Sequence, residues 1–309
     1  MSHLLVTGSI ALDRISVFRD RFSRHILANQ IHQLNVSFMV QDMVIHHGGT
    51  GGNIAYNLSL LGIAPLLMGT AGYDAADYMK KLERAGIRLR VKTFPNKLTA
   101  HANIMTDLDD NQITGFYAGA MAEASKVGLS SIKESVELAI IAPNDIRAMI
   151  QLADACFKKG IPFIADPGQG IPAFAKKELQ DFVTGAHILI ANDYEWTMLK
   201  DKTGFSQAEV LSRVNYLIVT YGGKGSKIWD KQGVVAEIPA CRPSKVLDPT
   251  GCGDAYRAGL MFGIKNGLEI KKAARIGSWI AAKCVENKGT QNHKIPRSEF
   301  KKFLLGLQN

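Results

Sequence analysis

The stretch from residue 248 to 260, DPTGCGDAYRAGL, has the residue types of a phosphate site. Gly251 and Gly253 flank Cys252, and apolar residues at helical spacing begin directly after them. Glycines at the start of a helix expose unpaired N–H groups that attract an anion together with the helix dipole. Asp254 would repel that anion, so it is more useful as a general base that deprotonates an attacking hydroxyl. The alternative is that Asp254 caps the helix or complements its dipole.

A second glycine-rich stretch, HHGGTGGN at residues 46–53, opens another predicted helix. This density of glycines, among them Gly49 and Gly52, indicates either close approach of the backbone to a ligand or a hinge. Asn53 either caps the helix or offers its amide to ligand hydroxyls. Asp13 follows the first predicted strand, where open α/β sheets bind ligands, and its carboxylate could accept two vicinal hydroxyls. Its alternative role is that of a cap or turn residue.

Two further elements place polar residues or glycines at the end of a predicted strand. The predicted strand HILIAN ends in Asn192, and Glu195 follows three residues later. A helical capping box explains that spacing well, so it is weak evidence for magnesium. The strand YLIVT continues into YGGKGS, where Thr220, Gly222 and Gly225 bring the backbone close to another group. The sequence has neither Walker A spacing nor a strand-borne G-x-G-x-x-G, so a phosphate site here is of another kind.

The elements that must position these residues alternate as short apolar runs and amphipathic stretches. This pattern predicts β-α-β units on a mostly parallel sheet, opened by a strand HLLVTGSIAL and closed by a helical region from about residue 254 to 287. Residues 14–47 and 97–118 break the rhythm. The first contains the β-prone segments ANQIHQLN and FMVQDMVIHH, and the second reads as a hairpin around LDDNQ.

We expect these four short strands to form a small β-sheet lid over 14–47 and 97–118. The α/β core then comprises 1–13, 48–96 and 119–309. The alternative, two long surface loops, conflicts with how uncommon loops of that length are without structure of their own.

Charge is the unusual feature of the composition. Of 309 residues, 37 are Lys or Arg and 28 are Asp or Glu, which gives a net charge of +9. Residues 241–309 hold 13 basic and five acidic residues, so nearly all of the excess lies there. A high positive charge is typical of proteins that bind nucleic acids, yet we find no helix-turn-helix, RNP-type or C₂H₂ pattern in the sequence. A positive field around a site for a small phosphate compound explains such an excess without a nucleic-acid partner.

Cysteine usage and hydropathy exclude other classes. The four cysteines are widely spaced and form no C-x-x-C pair, which argues against a structural zinc site and a disulfide framework and fits the cytoplasm. No apolar run approaches the roughly 20 residues that span a bilayer. The start of the chain, MSHLLVTGSIALD, has no basic n-region, so we expect no signal peptide.

With these motifs the chain resembles the PfkB (ribokinase-like) family of carbohydrate and nucleoside kinases over essentially its whole length. GGTGGNIAYNLSLLG, with Asn53, Gly62 and then Gly72, fits the N-terminal signature of that family. DPTGCGDAYRAGL fits the C-terminal signature, although Cys252 stands where Ala or Gly is commoner. N-x-x-E and T-x-G-x-x-G lie between the two signatures in family order.

The resemblance implies an α/β core with a small β lid and a role for each candidate residue. Asp254 would be the base for the acceptor CH₂OH group, and the N–H groups of Gly251, Cys252 and Gly253 would form the anion hole for the γ-phosphate. The remaining assignments are the acceptor site at Asp13, Gly49, Gly52 and Asn53, the ATP site at Asn192, Thr220, Gly222 and Gly225, and magnesium through water at Glu195. Many members respond to a monovalent cation such as K⁺, and many dimerise through the lid.

The long first lid segment and LDDNQITGFYAGAM resemble nucleoside kinases more than ribokinase proper. We therefore expect ATP with Mg²⁺ and a nucleoside acceptor, adenosine first, then a free sugar of the ribokinase or fructokinase type, then a sugar phosphate. No nucleic-acid or membrane partner is expected. Two alternatives come from other classes: a basic nucleic-acid-binding protein, and a thiol enzyme that uses Cys252 at a helix N-terminus.

Overall fold

The computed structural model describes residues 2–27, 32, 34–109 and 111–307. The strands are β1 His3–Thr7, β2 Ala11–Val17, β3 Asp42–Gly48, β4 Leu66–Gly72, β5 Arg88–Phe94, β6 Ala100–Thr106, β7 Gln112–Tyr117, β8 Val136–Ile141, β9 Phe163–Ala165, β10 Ile188–Asn192, β11 Tyr216–Thr220, β12 Ser226–Asp230 and β13 Gly233–Ile238. The α-helices are α1 Thr50–Leu60, α2 Ala76–Arg84, α3 Ile146–Lys158, α4 Lys176–Val183, α5 Asp193–Thr203, α6 Gln207–Leu211, α7 Cys252–Lys265, α8 Ile270–Val285 and α9 Arg297–Gly306.

Nine strands form one large sheet in the order β13-β12-β11-β10-β9-β8-β1-β4-β5. In this sheet, β5, β4, β1, β8, β9, β10 and β11 are parallel to one another. Strands β12 and β13 are antiparallel additions at the edge beside β11. The inner strands are near-continuous Val, Ile and Leu runs because helices cover both faces of the sheet. Strand order reverses at β1, which creates a crevice at the carboxyl ends of β1 and β8.

Each face of the sheet has its own core. Helices α3 to α6 cover one face with Met149, Phe182 and Leu199. Helices α1, α2, α7 and α8 cover the other, with side chains such as Ile54 and Leu260. The predicted α/β core with a mostly parallel sheet is confirmed.

The C-terminal helical region consists of two helices, whereas the sequence predicted one. Helix α7 ends because Gly267 adopts a left-handed backbone (φ 69°). The Gly267 N–H then donates to the Ile264 carbonyl, and the Leu268 N–H donates to the Gly263 carbonyl. The two helices then cross closely. A Cβ on Gly259 would lie 2.7 Å from the backbone of α8.

The small sheet has the order β3-β2-β6-β7 and forms the lid. The hairpin predicted over 97–118 is confirmed as β6 and β7, and FMVQDMVIHH contributes β3. The predicted strand ANQIHQLN falls largely on residues 28–31 and 33, which lie outside the described residues.

The fourth lid strand is β2, which corrects the predicted start of the chain. HLLVTGSIAL is not one strand, because the chain turns at Gly8, where a Cβ would lie only 2.7 Å from the Gly51 nitrogen. Strand β2 begins at Ala11, so residues 11–13 belong to the lid sheet and not to the core. In the described part of the chain, no helix has both the length and the hydropathy to cross a bilayer.

Candidate active site

A cavity of about 890 Å³ lies at the switch point of the large sheet, beneath the lid. The segments after β1, β8, β9, β10 and β11 line it, together with the lid and the first turns of α1 and α7. Ten of the thirteen predicted site residues reach this lining: Asp13, Gly49, Asn53, Asn192, Glu195, Thr220, Gly222, Gly251, Gly253 and Asp254. The three that do not are Gly52, Gly225 and Cys252.

Asp254 lies in the first turn of α7 at the bottom of the cavity. Burial raises the pKa of its carboxyl group to about 7, against the opposing effects of Arg257 and of a hydrogen bond from Asn53. In that hydrogen bond Asn53 Nδ2 donates to Asp254 Oδ2 over 2.8 Å. A carboxylate of near-neutral pKa in a cavity has the basicity that proton abstraction from an alcohol requires.

The N-terminus of α7 presents free backbone donors beside Asp254. Gly251 has a left-handed backbone (φ 79°), and a Cβ there would lie 2.9 Å from the Thr290 side chain. Among the described residues, the N–H groups of Gly251 and Gly253 have no hydrogen-bond acceptor. The predicted third donor is different, because Cys252 N–H donates to the Pro249 carbonyl over 3.2 Å. The anion site therefore has fewer free donors than the sequence predicted.

The side chain of Cys252 lies outside the cavity lining. It packs against the cluster that includes Ile276, Trp279 and Cys284. A hydrogen bond with Cys284 lowers the pKa of the Cys252 thiol. The alternative of a thiol enzyme at this helix gains no support from a sulfur that packs away from the cavity.

An ion pair that the sequence analysis missed connects β9 to α7. Arg257 Nη2 and Nε donate to the two carboxylate oxygens of Asp166 over 2.6 and 2.5 Å, and both side chains are buried. Arg257 Nη1 donates to the Gly253 carbonyl over 3.1 Å. Removing one partner of such a pair typically costs about 3–5 kcal/mol. The Asp-Pro that follows a buried strand was the only available signal for Asp166.

Asn192 and Glu195 form the predicted capping box at the start of α5. Glu195 N–H donates to Asn192 Oδ1, and Asn192 N–H donates to Glu195 Oε2, both over 2.8 Å. Burial raises the pKa of Glu195. Its second carboxylate oxygen has no hydrogen-bond partner in the described residues, so it is available to a water molecule in the cavity.

The charge of the cavity lining is opposite to the expectation from the C-terminal excess. Among the described residues, five carboxylates and one guanidinium reach the lining; they belong to Asp13, Asp145, Asp166, Glu195, Asp254 and Arg257. The other basic residues after position 240 lie elsewhere, and several pair with surface carboxylates, as Lys283 does with Glu299. A triphosphate in such a lining requires cations to offset its charge.

Asp13 reaches the cavity from lid strand β2, and not from the end of a core strand as predicted. Burial raises the pKa of its carboxyl group, partly offset by His46. Gly48 leaves room for this carboxylate, because a Cβ there would lie 2.6 Å from Asp13 Oδ2. The next residue, Gly49, has φ 86°, and a Cβ would lie 2.4 Å from the Ser9 carbonyl. The connection between lid and α1 thus requires glycine.

Packing explains the two predicted glycines that lie outside the lining. A Cβ on Gly52 would lie 2.1 Å from the Tyr78 hydroxyl oxygen. Gly225 has φ 96°, and a Cβ there would lie 2.0 Å from the Ile238 carbonyl. Both glycines allow close approach to the protein itself, and their expected places in the acceptor and ATP sites stay predictions.

A family model described as pfkB family carbohydrate kinase matches residues 5–297. The chain belongs to the pfkB family. Its kinases are phosphotransferases with an alcohol group as acceptor, which confirms the class of enzyme predicted from the two glycine-rich signatures.

Three relatives of this pfkB-family chain are named as nucleoside kinases. The Burkholderia thailandensis nucleoside kinase, solved in complex with inosine, is 39% identical with a TM-score of 0.85, covering 98% of this chain and 97% of that one. The solved Methanocaldococcus jannaschii nucleoside kinase is 30% identical with a TM-score of 0.87, over 100% and 98%. A nucleoside kinase of Methanothermobacter thermautotrophicus is 29% identical over 91% of this chain and 92% of its own length.

Proposed function

We propose that this pfkB-family protein is an ATP-dependent nucleoside kinase that phosphorylates the CH₂OH group of its acceptor. The observation that carries the proposal is the pairing of Asp254, a half-buried carboxyl whose pKa is raised to about 7, with the free N–H groups of Gly251 and Gly253 in one cavity. The names of the relatives, and the inosine complex of the Burkholderia thailandensis enzyme, support a nucleoside as the acceptor.

The reaction uses the base and the anion site together. Asp254 takes the proton of the acceptor hydroxyl while the hydroxyl oxygen attacks the γ-phosphorus of ATP. ADP leaves from the opposite side of that phosphorus. The N–H groups of Gly251 and Gly253, at the positive end of the α7 dipole, stabilise the charge on the transferring phosphoryl group.

The acceptor lies between the lid and α1. Asp13 and Asn53 hold the sugar hydroxyls, with the backbone of Gly49 alongside. Asn53 uses Oδ1 and one N–H within the protein, which leaves its second N–H for the acceptor. The residues after β10 and β11, Asn192 and Thr220 among them, hold the nucleotide.

Magnesium enters with the triphosphate. No cluster of three His, Cys, Asp or Glu side chains able to hold a metal occurs in the described residues. This fits Mg²⁺, which keeps several waters and binds mainly through substrate phosphates. The free carboxylate oxygen of Glu195 would hold it through water, and Mg²⁺ would neutralise the phosphate charge in an acidic cavity. A K⁺ ion near the second signature and a cytoplasmic location are further parts of the proposal.

The lid also supports a homodimer. Met43 and Ile45 on β3 and Ile113 on β7 project from the face of the lid opposite Asp13, and all three are exposed. An apolar sheet face of this kind favours pairing with a second copy. Sedimentation velocity should show a dimer that Ile45→Glu converts to monomer, and a monomeric native protein would contradict it.

A screen of ADP release tests the function. The acceptors are adenosine, inosine, ribose, fructose and sugar phosphates, each with and without K⁺, and 5′-deoxyadenosine serves as the control that lacks the reacting hydroxyl. We expect turnover with a nucleoside and none with its 5′-deoxy analogue. Turnover confined to a free sugar would favour the ribokinase or fructokinase alternative, and release that ignores every acceptor would reject the kinase.

A further inference from the structure

We propose that Gln291 and Tyr78 are positioning residues that orient the Asn53 amide so that it donates a hydrogen bond to Asp254. This inference rests on the proposed function, in which Asp254 is the base. Neither residue lines the cavity, and neither belongs to the two glycine-rich signatures. They act on the base through Asn53.

The contacts form one continuous chain of hydrogen bonds. Gln291 Nε2 donates to Asn53 Oδ1 over 2.9 Å and to the Tyr78 hydroxyl oxygen over 2.5 Å. The Tyr78 hydroxyl donates to the Gly48 carbonyl over 2.8 Å. At the other end, Asn53 Nδ2 donates to Asp254 over 2.8 Å. The chain thus runs from the last residue of lid strand β3 to the base.

Each link in this chain has only one workable direction. The Gly48 carbonyl can only accept, so it takes the single proton of Tyr78, and the hydroxyl oxygen must accept from Gln291. The two protons of Gln291 Nε2 are then committed to Tyr78 and Asn53. Because an asparagine amide has one donor end and one acceptor end, Asn53 must turn Oδ1 to Gln291 and Nδ2 to Asp254. When Asp254 is ionised, which is the form that acts as a base, a reversed amide would set two oxygens without a proton between them against each other.

Burial of these side chains strengthens the requirement that each hydrogen bond keep its donor and acceptor as described. Tyr78, Gln291 and Asn53 are 1%, 3% and 5% exposed, so water cannot easily replace a lost partner. Gly52 lies where these hydrogen bonds pass α1. A Cβ there would lie 2.1 Å from the Tyr78 hydroxyl and 3.4 Å from Gln291 Nε2. The helix therefore opens space at this one turn. The Tyr78 ring also stacks on His47 of β3, with centroids 4.4 Å apart.

Other charges face Asp254 and stay constant when Gln291 is replaced. Arg257 on α7 lowers its pKa, and Asp166 after β9 and Glu195 on α5 raise it. Asp13, on lid strand β2, faces Tyr78. A change in the titration of Asp254 on replacement of Gln291 therefore reports on the Asn53 donor.

The test is the pH profile of kcat/KM for the nucleoside in Gln291→Met, which keeps the length of the side chain and removes both donors. Without them Asn53 can turn, Asp254 loses its donor, and the acid limb moves to higher pH by about one unit. The expected loss is about tenfold at pH 6 and under threefold at pH 9. An equal loss at both pH values, or no loss, would overturn the proposal.

Tyr56→Phe is the matched control. The Tyr56 hydroxyl donates to the His293 carbonyl over 3.0 Å in the same C-terminal segment, yet it forms no hydrogen bond with Asn53 or Asp254. Its profile should match that of the native protein. If Gln291→Met does not fold, Tyr78→Phe takes its place, with a shift in the same direction, and an unshifted profile would overturn the proposal.

A second readout is independent of catalysis. The ¹³C-carboxyl resonance of Asp254, assigned by its loss in Asp254→Asn, is titrated in the native protein and in Gln291→Met without substrates. A higher midpoint in the variant supports the positioning role, and an identical midpoint overturns it. If the native protein shows no nucleoside-dependent ADP release, the proposed function fails, while this titration still decides the role of Gln291.

Discussion

Burial of the Asp254 carboxyl group gives it its basicity, and the same burial destabilises the protein when that group is ionised. Its pKa of about 7 in the folded protein exceeds the ordinary value of 3.8, chiefly because burial disfavours the charged form. The native state therefore holds this proton between about pH 4 and pH 7, and the unfolded state does not. The free energy of unfolding must fall as pH rises through that window.

Asp254→Asn should therefore stabilise the protein at alkaline pH. The variant has no proton to lose, and its side-chain oxygen can still accept from Asn53. Its gain in free energy of unfolding over the native protein should be roughly 2 kcal/mol larger at pH 8 than at pH 5. Urea unfolding at the two pH values measures this difference. A gain independent of pH would contradict the raised pKa.

Asp13→Ala tests the acceptor site separately. Loss of a half-buried carboxylate that accepts from sugar hydroxyls should raise the nucleoside KM by roughly 10- to 100-fold, since hydrogen bonds to charged groups contribute about 1.5–3 kcal/mol. The KM for ATP should change little. Initial rates with either substrate varied distinguish the two, and a rise confined to ATP would mean that the two sites are assigned the wrong way round.

Among single residues, the sequence indicates those whose type and local spacing suggest chemistry and that then line the cavity. Asp254 after two glycines and Glu195 three residues after Asn192 are such cases. Tyr78 and Gln291 lie 213 positions apart and meet only in the fold, so no local pattern announces them. The Cys252 N–H was wrongly expected to be free because its acceptor depends on the turn at Pro249.

Where two elements meet, close packing of their backbones determines features that the sequence pattern does not predict. Hydrophobic periodicity predicts the core strands and the β6–β7 hairpin, because those patterns reflect burial on fixed faces. It does not predict the break between β1 and β2, which follows from the packing of Gly8 on Gly51. The position of Gly52 outside the cavity lining has the same kind of cause, since the Tyr78 hydroxyl takes the space beside it.

Gly52→Ala should lower stability through one identified clash. The added methyl group would lie 2.1 Å from the Tyr78 hydroxyl, and overpacking of this kind typically costs about 1–3 kcal/mol. Combining it with Tyr78→Phe, which removes that hydroxyl, should recover part of the loss in a double-mutant cycle. Gly306→Ala is the helical control, because its Cβ would meet nothing within 4 Å. Additive losses in the double variant would reject the clash.

At the scale of the whole molecule, net charge proved a poor guide to the site. The +9 charge suggested a positive field around the phosphates, yet the cavity lining is acidic. Charge counted along the chain cannot show which residues face the cavity and which pair on the surface. The general architecture was predictable because β-α-β alternation and the two lid segments are long-range patterns of composition.

An acidic lining makes nucleotide binding dependent on Mg²⁺. ATP with Mg²⁺ should raise the melting temperature by mass action, and ATP with EDTA should raise it much less. Retention on heparin should be weak at physiological salt. Differential scanning fluorimetry and heparin chromatography measure the two properties. Strong retention without any shift from ATP would favour the nucleic-acid-binding alternative.

We assign to Asp254 the removal of the proton of the acceptor hydroxyl during phosphoryl transfer. The single-turnover rate of nucleoside phosphorylation, compared between the native protein and Asp254→Asn with both substrates saturating, tests this assignment. General base catalysis contributes about 10²–10⁴-fold, so we expect the rate to fall at least 100-fold while ATP binding changes by less than threefold. A variant within threefold of the native rate would contradict the assignment.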